Sequence, residues 1–243
     1  MLNYKFVGHL KSDTLIVFLH EGLGCIEMWK DYPHKLCQQL NVKGLVYDRA
    51  GYGKSKGDLS NRKANYLHLA AEELHQLLSE LHLLNHQIIL YGHSDGGSIA
   101  LIYTSLYPQN IKAIITEAAH VFVEEETIEG IKPAVKAFEQ GKLNGLKKYH
   151  INYKDVFNAW VNIWLHPSFK NWNIEQELKS ISCHQLVIQG KNDQYGTIKQ
   201  VESIAKNTKG KTTIFTPSNC GHAPFKEKQS EVILEVKRFL FKN

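Results

Sequence analysis

Cysteine is sparse and dispersed: Cys25, Cys37, Cys183 and Cys220 are the four in 243 residues, and none forms a C-x-x-C pair. A chain of this length buries enough apolar surface to need no disulfide framework, so reduced thiols are expected. Long apolar runs are missing as well. Stretches such as Leu15 to Leu19 fall far short of the ~20 residues a helix needs to cross a bilayer, which argues against a membrane partner. The formal net charge of +5 is spread along the chain, with no block of five or more consecutive basic residues. The lysines therefore read as a solvated surface and not as a nucleic-acid footprint. Met1-Leu2-Asn3-Tyr4-Lys5 lacks the basic-then-apolar layout of a signal peptide, which makes the cytoplasm the default expectation. Internal repeats and low-complexity tracts are absent, and nothing in the composition speaks to oligomeric state.

What remains is an ordinary globular composition, 43% hydrophobic and 22% charged, with a clear rhythm. Short apolar runs recur at Leu15–Leu19, Gly44–Tyr47, Ile88–Tyr91, Ala113–Ile115, Leu186–Ile188 and Thr213–Phe215. They are continuously apolar instead of alternating, as in strands buried on both faces. Helical patterns lie between them: Leu67, Ala70, Leu74, Leu77 and Leu81 repeat every three to four residues, as do Val232, Val236 and Phe239-Leu240. Alternating strands and helices predict an α/β fold with a mostly parallel sheet and helices on both faces. From about Glu124 to Ser180 the rhythm stops, leaving helix-compatible sequence punctuated by Pro133, Gly141, Gly145 and Pro167. The chain is accordingly divided into a core, residues 1–123 and 181–243, and a helical insert, residues 124–180. Within the insert Tyr149, Tyr153, Phe157, Trp160 and Trp164 form an aromatic stripe at helical spacing. Packing of the insert onto the core accounts for such a stripe; the inner face of a lid, with Tyr153, Trp160 and Trp164 lining a pocket, is compatible with it.

In an open parallel sheet, ligands bind beyond the carboxyl ends of the strands, so the residues following each run are informative. After Leu15–Leu19 comes the glycine-rich turn His20-Glu21-Gly22-Leu23-Gly24; after Ile88–Tyr91 comes Gly92-His93-Ser94-Asp95-Gly96. After Leu186–Gln189 comes Gly190-Lys191-Asn192-Asp193, and after Thr213–Thr216 comes Asn219-Cys220-Gly221-His222. A serine, an acid and a histidine thus emerge at one edge in the order Ser94, Asp193, His222, the chain order of one kind of nucleophilic triad. A serine hydroxyl needs a base to take its proton, the task of His222; Asp193 would orient the imidazole and stabilise its protonated form. The backbone N–H groups of Gly22 and Asp95 are the candidate oxyanion hole, where one donor is typically worth about 3 kcal/mol. His93 reads as structural, because strand neighbours project to opposite faces. A zinc site from His20, His93 and His222 is conceivable, but no paired-ligand spacing joins them, so no metal is expected.

These motifs, together with Asp48-Arg49-Ala50-Gly51-Tyr52-Gly53-Lys54-Ser55, resemble the α/β-hydrolase superfamily from about Leu15 onward. The resemblance implies that fold, a helical cap after the sixth strand of the usual eight, and a cofactor-free Ser-His-Asp mechanism. Two departures stand out. Glu21 replaces a glycine of the His-Gly-x-Gly pattern, with Gly22 taking the oxyanion position by its spacing to Trp29. Fewer than fifteen residues precede Leu15, which predicts one opening strand near Lys5–Gly8 and about seven in all. The elbow Ser94-Asp95-Gly96-Gly97 and the stretch Glu126-Thr127-Ile128-Glu129-Gly130-Ile131 are similar to biphenyl-hydrolase-like (valacyclovir hydrolase) enzymes. Those relatives cleave α-amino-acid esters, and the acid after their nucleophile is associated with the substrate ammonium group.

Asp95 therefore has two readings: an acid favoured at a helix start, or, alone or with Glu21, a negative wall that selects cationic esters. A carboxylate beside the oxyanion opposes charge build-up unless a cation neutralises it. Arg49 is a candidate partner for Glu21. The function expected is hydrolysis of a small carboxylic ester through an acyl-enzyme on Ser94. C–C bond hydrolysis, lyase or haloperoxidase chemistry on the same scaffold, and a ligand receptor with a vestigial triad, stand as alternatives.

Overall fold

The computed structural model describes residues 2–60 and 62–241. Each of the six apolar runs is a strand, and the opening strand sits where expected. In chain order the elements are β1 (Tyr4–Gly8), β2 (Thr14–Leu19), α1 (Tyr32–Leu40), β3 (Lys43–Tyr47), α2 (Tyr66–Glu80), β4 (Gln87–His93) and α3 (Asp95–Leu106). There follow β5 (Ile111–Glu117), α4 (Glu125–Glu139), α5 (Tyr153–Trp164), α6 (Glu175–Leu178), β6 (His184–Ile188), α7 (Ile198–Asn207), β7 (Thr212–Phe215), α8 (Pro224–Glu227) and α9 (Gln229–Phe241). The seven strands form one sheet in the order β1-β3-β2-β4-β5-β6-β7, parallel throughout except for β1, which pairs antiparallel with β3.

The continuous apolar character of β2 has a direct cause: Leu15, Val17 and Leu19 face α2 and α3, whereas Ile16 and Phe18 face α1 and α9. All five side chains are fully buried. Burying each contributes roughly 1.5–3 kcal/mol, and with both faces covered no position in the run can be polar. β7 departs from that pattern. It is an edge strand, its residues are partly exposed and Ile214 stands in solvent, so the expectation of two buried faces fails there.

Chain direction across the sheet reverses between β2 and β4, which are neighbours with Leu19 opposite Gly92. β2 leads away to β3 on one side, and β4 leads away to β5 on the other. The two following loops diverge and leave a crevice at the carboxyl edge, the place where such sheets bind ligands. Between β5 and β6 the chain is helical, with α4, α5, α6 and short 3-10 turns; one isolated bridge joins Phe122 to Asn173. These extra helices form a cap over that edge. Tyr149 lies outside α5, in the turn that precedes it, so the aromatic stripe begins at Tyr153 and not at Tyr149.

Candidate active site

Ser94 follows β4 directly and has φ 53° and ψ −119°, a left-handed conformation that side-chain-bearing residues adopt only under strain. The glycines flanking it permit the turn by close approach: a Cβ on Gly92 would lie 2.1 Å from Gly96 O, and one on Gly96 would lie 2.0 Å from Leu19 O. Asp95 then begins α3, so its backbone N–H is among those an α-helix leaves without an intrahelical acceptor.

Asp193 and His222 come from the loops after β6 and β7. The loops touch so closely that a Cβ on Gly190 would lie 2.1 Å from Gly221 O. This contact sets His222 Nδ1 at 2.8 and 2.9 Å from the two Asp193 oxygens. Asp193 is itself oriented by Gln189 Nε2 at 2.7 Å and by the Tyr195 N–H at 2.9 Å. Burial opposes charge on the imidazole, but the Asp193 hydrogen bond and charge, with Glu21 and Asp95 beyond, hold the His222 pKa above its ordinary value. Burial is likewise the largest single influence on Asp193 and opposes its charged form; the hydrogen bond and charge of His222, with the Tyr195 N–H, together outweigh it and keep that carboxyl below its usual range. Ser94 and His222 line one cavity of about 430 Å³. No hydrogen bond joins Ser94 Oγ to His222 among the described residues; such contacts commonly tighten only when substrate binds.

Two further histidines near the site, His20 and His93, have settled partners. His20 Nδ1 donates to Glu21 O at 2.8 Å, and His20 Nε2 accepts from the Arg49 N–H at 3.2 Å. His93 Nε2 donates to His222 O at 2.7 Å, and burial, then the neighbouring His222, drives its pKa down to about 3. His93 thus serves the site by holding the backbone of the candidate base, which strand alternation alone did not reveal. Among the described residues no group of three or more His, Cys, Asp or Glu side chains is arranged to hold a metal ion.

Arg49 does not pair with the Glu21 carboxylate. Its guanidinium donates to the Glu21 backbone O at 2.8 Å and sits 3.7 Å from Asp95 Oδ2, with both side chains almost fully buried. The Glu21 carboxylate instead accepts the Leu23 N–H at 3.0 Å, and burial raises its pKa. Asp95 Oδ2 is buried with no hydrogen-bond partner among the described residues. Asp95, Glu21, Trp160 and Trp164 all line the cavity. Trp160 reaches the Gly22 backbone, where a Cβ would meet its Cδ1 at 2.6 Å. Tyr153 belongs elsewhere: it packs on Phe138 within the cap, 6.1 Å between ring centroids, and is not among the cavity-lining residues.

Two contributors had no sequence signal. His150, from the cap, accepts the Gly53 N–H at its Nδ1 and donates from Nε2 to Leu23 O, both at 2.9 Å. It thereby straps the cap to the loop that carries Gly22. His120, which follows β5 and packs against the rings of Trp164 and His222, lines the cavity and donates from Nε2 to Tyr195 O at 3.0 Å.

Similarity to known proteins agrees with the fold. Residues 14–150, more than half the chain, match the family model described as the alpha/beta hydrolase fold. A proline iminopeptidase of Saccharolobus solfataricus is 23% identical over 98% of this chain and 88% of its own. The serine hydrolase BPHL of Homo sapiens is 26% identical over 86% of this chain and 72% of its own. A thermophilic esterase from Thermogutta terrifontis superposes with a TM-score of 0.76 at 18% identity, covering 99% of this chain and 93% of that one. The chain belongs to the α/β-hydrolase fold family.

Proposed function

We propose that the protein is a serine hydrolase that cleaves a small carboxylic ester through an acyl-enzyme on Ser94. The observation that carries this reading is the three-centre approach of His222 Nδ1 to both Asp193 oxygens on the wall of the cavity that also holds the strained Ser94 elbow. With its Nδ1–H fixed by Asp193, His222 presents Nε2 as the acceptor for the Ser94 proton. As the Ser94 oxygen bonds to the ester carbonyl carbon, the carbonyl oxygen takes up negative charge facing the Gly22 and Asp95 N–H groups. His222 then returns the proton to the leaving alcohol, and water repeats the sequence to free the acid. Residues 124–180 act as the lid over a core formed by 1–123 and 181–243.

Within that reading the preferred ester carries an amino group. Glu21, Asp95 and Glu227 line the cavity against one lysine, Lys226, and Arg49 faces Asp95 at 3.7 Å without a hydrogen bond. A substrate ammonium would supply the donors that the buried Asp95 carboxylate lacks. Steady-state hydrolysis over a panel from p-nitrophenyl esters to amino-acid esters tests the reading, with Ser94→Ala as control. Loss of turnover in a folded Ser94→Ala protein is expected; undiminished turnover of every accepted ester by that variant overturns it.

A further inference from the structure

Glu117 ends β5 and is fully buried. Its backbone O accepts the Ser94 N–H at 2.8 Å. Its side chain reaches the opposite partner of the site: Oε2 accepts the Phe225 N–H at 2.9 Å, three residues beyond His222. Oε1 accepts the Tyr91 hydroxyl, which lies 2.6 Å from the Tyr32 hydroxyl. One residue therefore ties the nucleophile elbow to the histidine loop, yet the mechanism above does not use it.

The surroundings of Glu117 pose an electrostatic problem. Tyr91 faces it from β4, Tyr32 from α1, and Cys220 and His222 from the loop after β7. No ion pair with lysine or arginine engages it among the described residues. Burial accordingly lifts its pKa to about 7. A neutral side chain could make the same hydrogen bonds without that cost. Among the groups facing it, the one that becomes a cation during the proposed reaction is His222. The hydrogen-bond chain also accommodates both proton states. Ionised, Glu117 accepts from Tyr91; protonated, it donates to the Tyr91 oxygen while Tyr91 donates to Tyr32. The Phe225 N–H bond survives the change, and only the charge differs.

We propose that Glu117 is a positioning residue for His222: it anchors the histidine loop through the Phe225 N–H, and its carboxylate charge stabilises the imidazolium. The inference rests on the Ser94–His222–Asp193 reading.

Glu117→Gln tests it, because glutamine keeps an oxygen for Phe225 N–H and a donor for the Tyr91 oxygen while removing the charge. The measurement is the His222 imidazole titration by NMR, with kcat and KM on p-nitrophenyl acetate followed against pH. The His222 pKa is expected to fall by about 0.5–1, and kcat to fall roughly 3–10-fold with KM within about twofold, both recovering in Glu117→Asp. A folded Glu117→Gln protein whose His222 titrates as in the unaltered protein overturns the proposal and leaves Glu117 a structural residue. If Glu117→Gln does not fold, Tyr91→Phe substitutes for it. Removing the donor keeps Glu117 protonated to higher pH, so the His222 pKa is expected to fall; an unchanged titration in folded Tyr91→Phe overturns the proposal equally. The NMR titration needs no turnover. An inactive unaltered protein therefore refutes the esterase reading separately from the Glu117–His222 coupling.

Discussion

The Arg49 guanidinium stands 3.7 Å from Asp95 Oδ2, and neither side chain is more than 4% exposed. That separation answers part of the charge on Asp95 without giving its carboxylate a hydrogen bond. Asp95 stands in the first turn of α3, where the macrodipole of the helix-start reading acts, although its Oδ2 is bonded to no backbone N–H among the described residues. Asp95→Asn removes the charge and keeps the backbone N–H of the proposed oxyanion hole. We expect kcat/KM on an amino-acid ester to fall about tenfold or more relative to a neutral ester of equal length. Equal losses on the two esters would remove the ammonium role from Asp95.

In the proposed mechanism Asp193 holds its partner's tautomer, so its conversion to asparagine should damage the reaction far more than the fold. Asp193→Asn is expected to lower kcat by roughly 10³–10⁴-fold. The His222 pKa, raised chiefly by Asp193 against burial, should fall in the variant and carry the acid limb of kcat/KM to lower pH. Stopped assays from pH 5 to 9 read both effects. A variant with full activity and an unmoved acid limb would separate Asp193 from the reaction.

His150 bridges Gly53 N–H and Leu23 O, one residue from Gly22. His150→Ala should free the loop that carries Gly22, the proposed oxyanion donor, lowering kcat about tenfold while secondary structure stays intact. Burial depresses the His150 pKa, so the neutral strap persists somewhat below the ordinary imidazole value and is lost on protonation, when Nδ1 no longer accepts the Gly53 N–H. Circular dichroism and kcat measured on the same sample check the expectation; unchanged kcat would mean that the strap plays no part.

Buried neutral histidines also give stability a pH dependence of known sign. The folded pKa of His93, about 3, lies below its ordinary 6.5, so the unfolded chain takes up that proton first as pH falls. The stabilisation is complete above pH 6.5 and drains away as pH drops toward 3, at about 1.4 kcal/mol per pH unit for this one group. His20 and His150 act in the same direction, whereas the raised pKa of His222 opposes them. Urea unfolding of the protein and of His93→Asn at pH 7.5 and 5.5 should show the destabilisation by the variant shrinking at the lower pH. A difference that stays constant would contradict the assignment of His93 as neutral.

Much of this was legible in the residues because the relevant physics is local. Strands such as β2 announce themselves by unbroken apolar runs, and Ser94, Asp193 and His222 each follow a strand at the carboxyl edge. The glycines of the elbow mark positions where any Cβ would collide with backbone. What the sequence left open depends on contacts between distant segments. Arg49 reads in the sequence as a partner for Glu21, and the route of its side chain past His20 takes it to Asp95 and to the Glu21 backbone oxygen instead. Tyr153 shares a helical spacing with Trp160 and Trp164, but the α5 face it occupies turns to Phe138. Glu117 closes an ordinary apolar strand, and only the packed sheet brings Tyr91, Tyr32 and Phe225 to it.

The sharpest test is to trap the intermediate. The protein is mixed with p-nitrophenyl acetate at a pH below the acid limb, quenched within one turnover, digested and mapped by mass spectrometry. An acetyl group on Ser94, released on return to higher pH and absent from Ser94→Ala, is the outcome expected. Rapid p-nitrophenol release with Ser94 never acetylated, or with the label on another residue, would contradict the Ser94 acyl-enzyme.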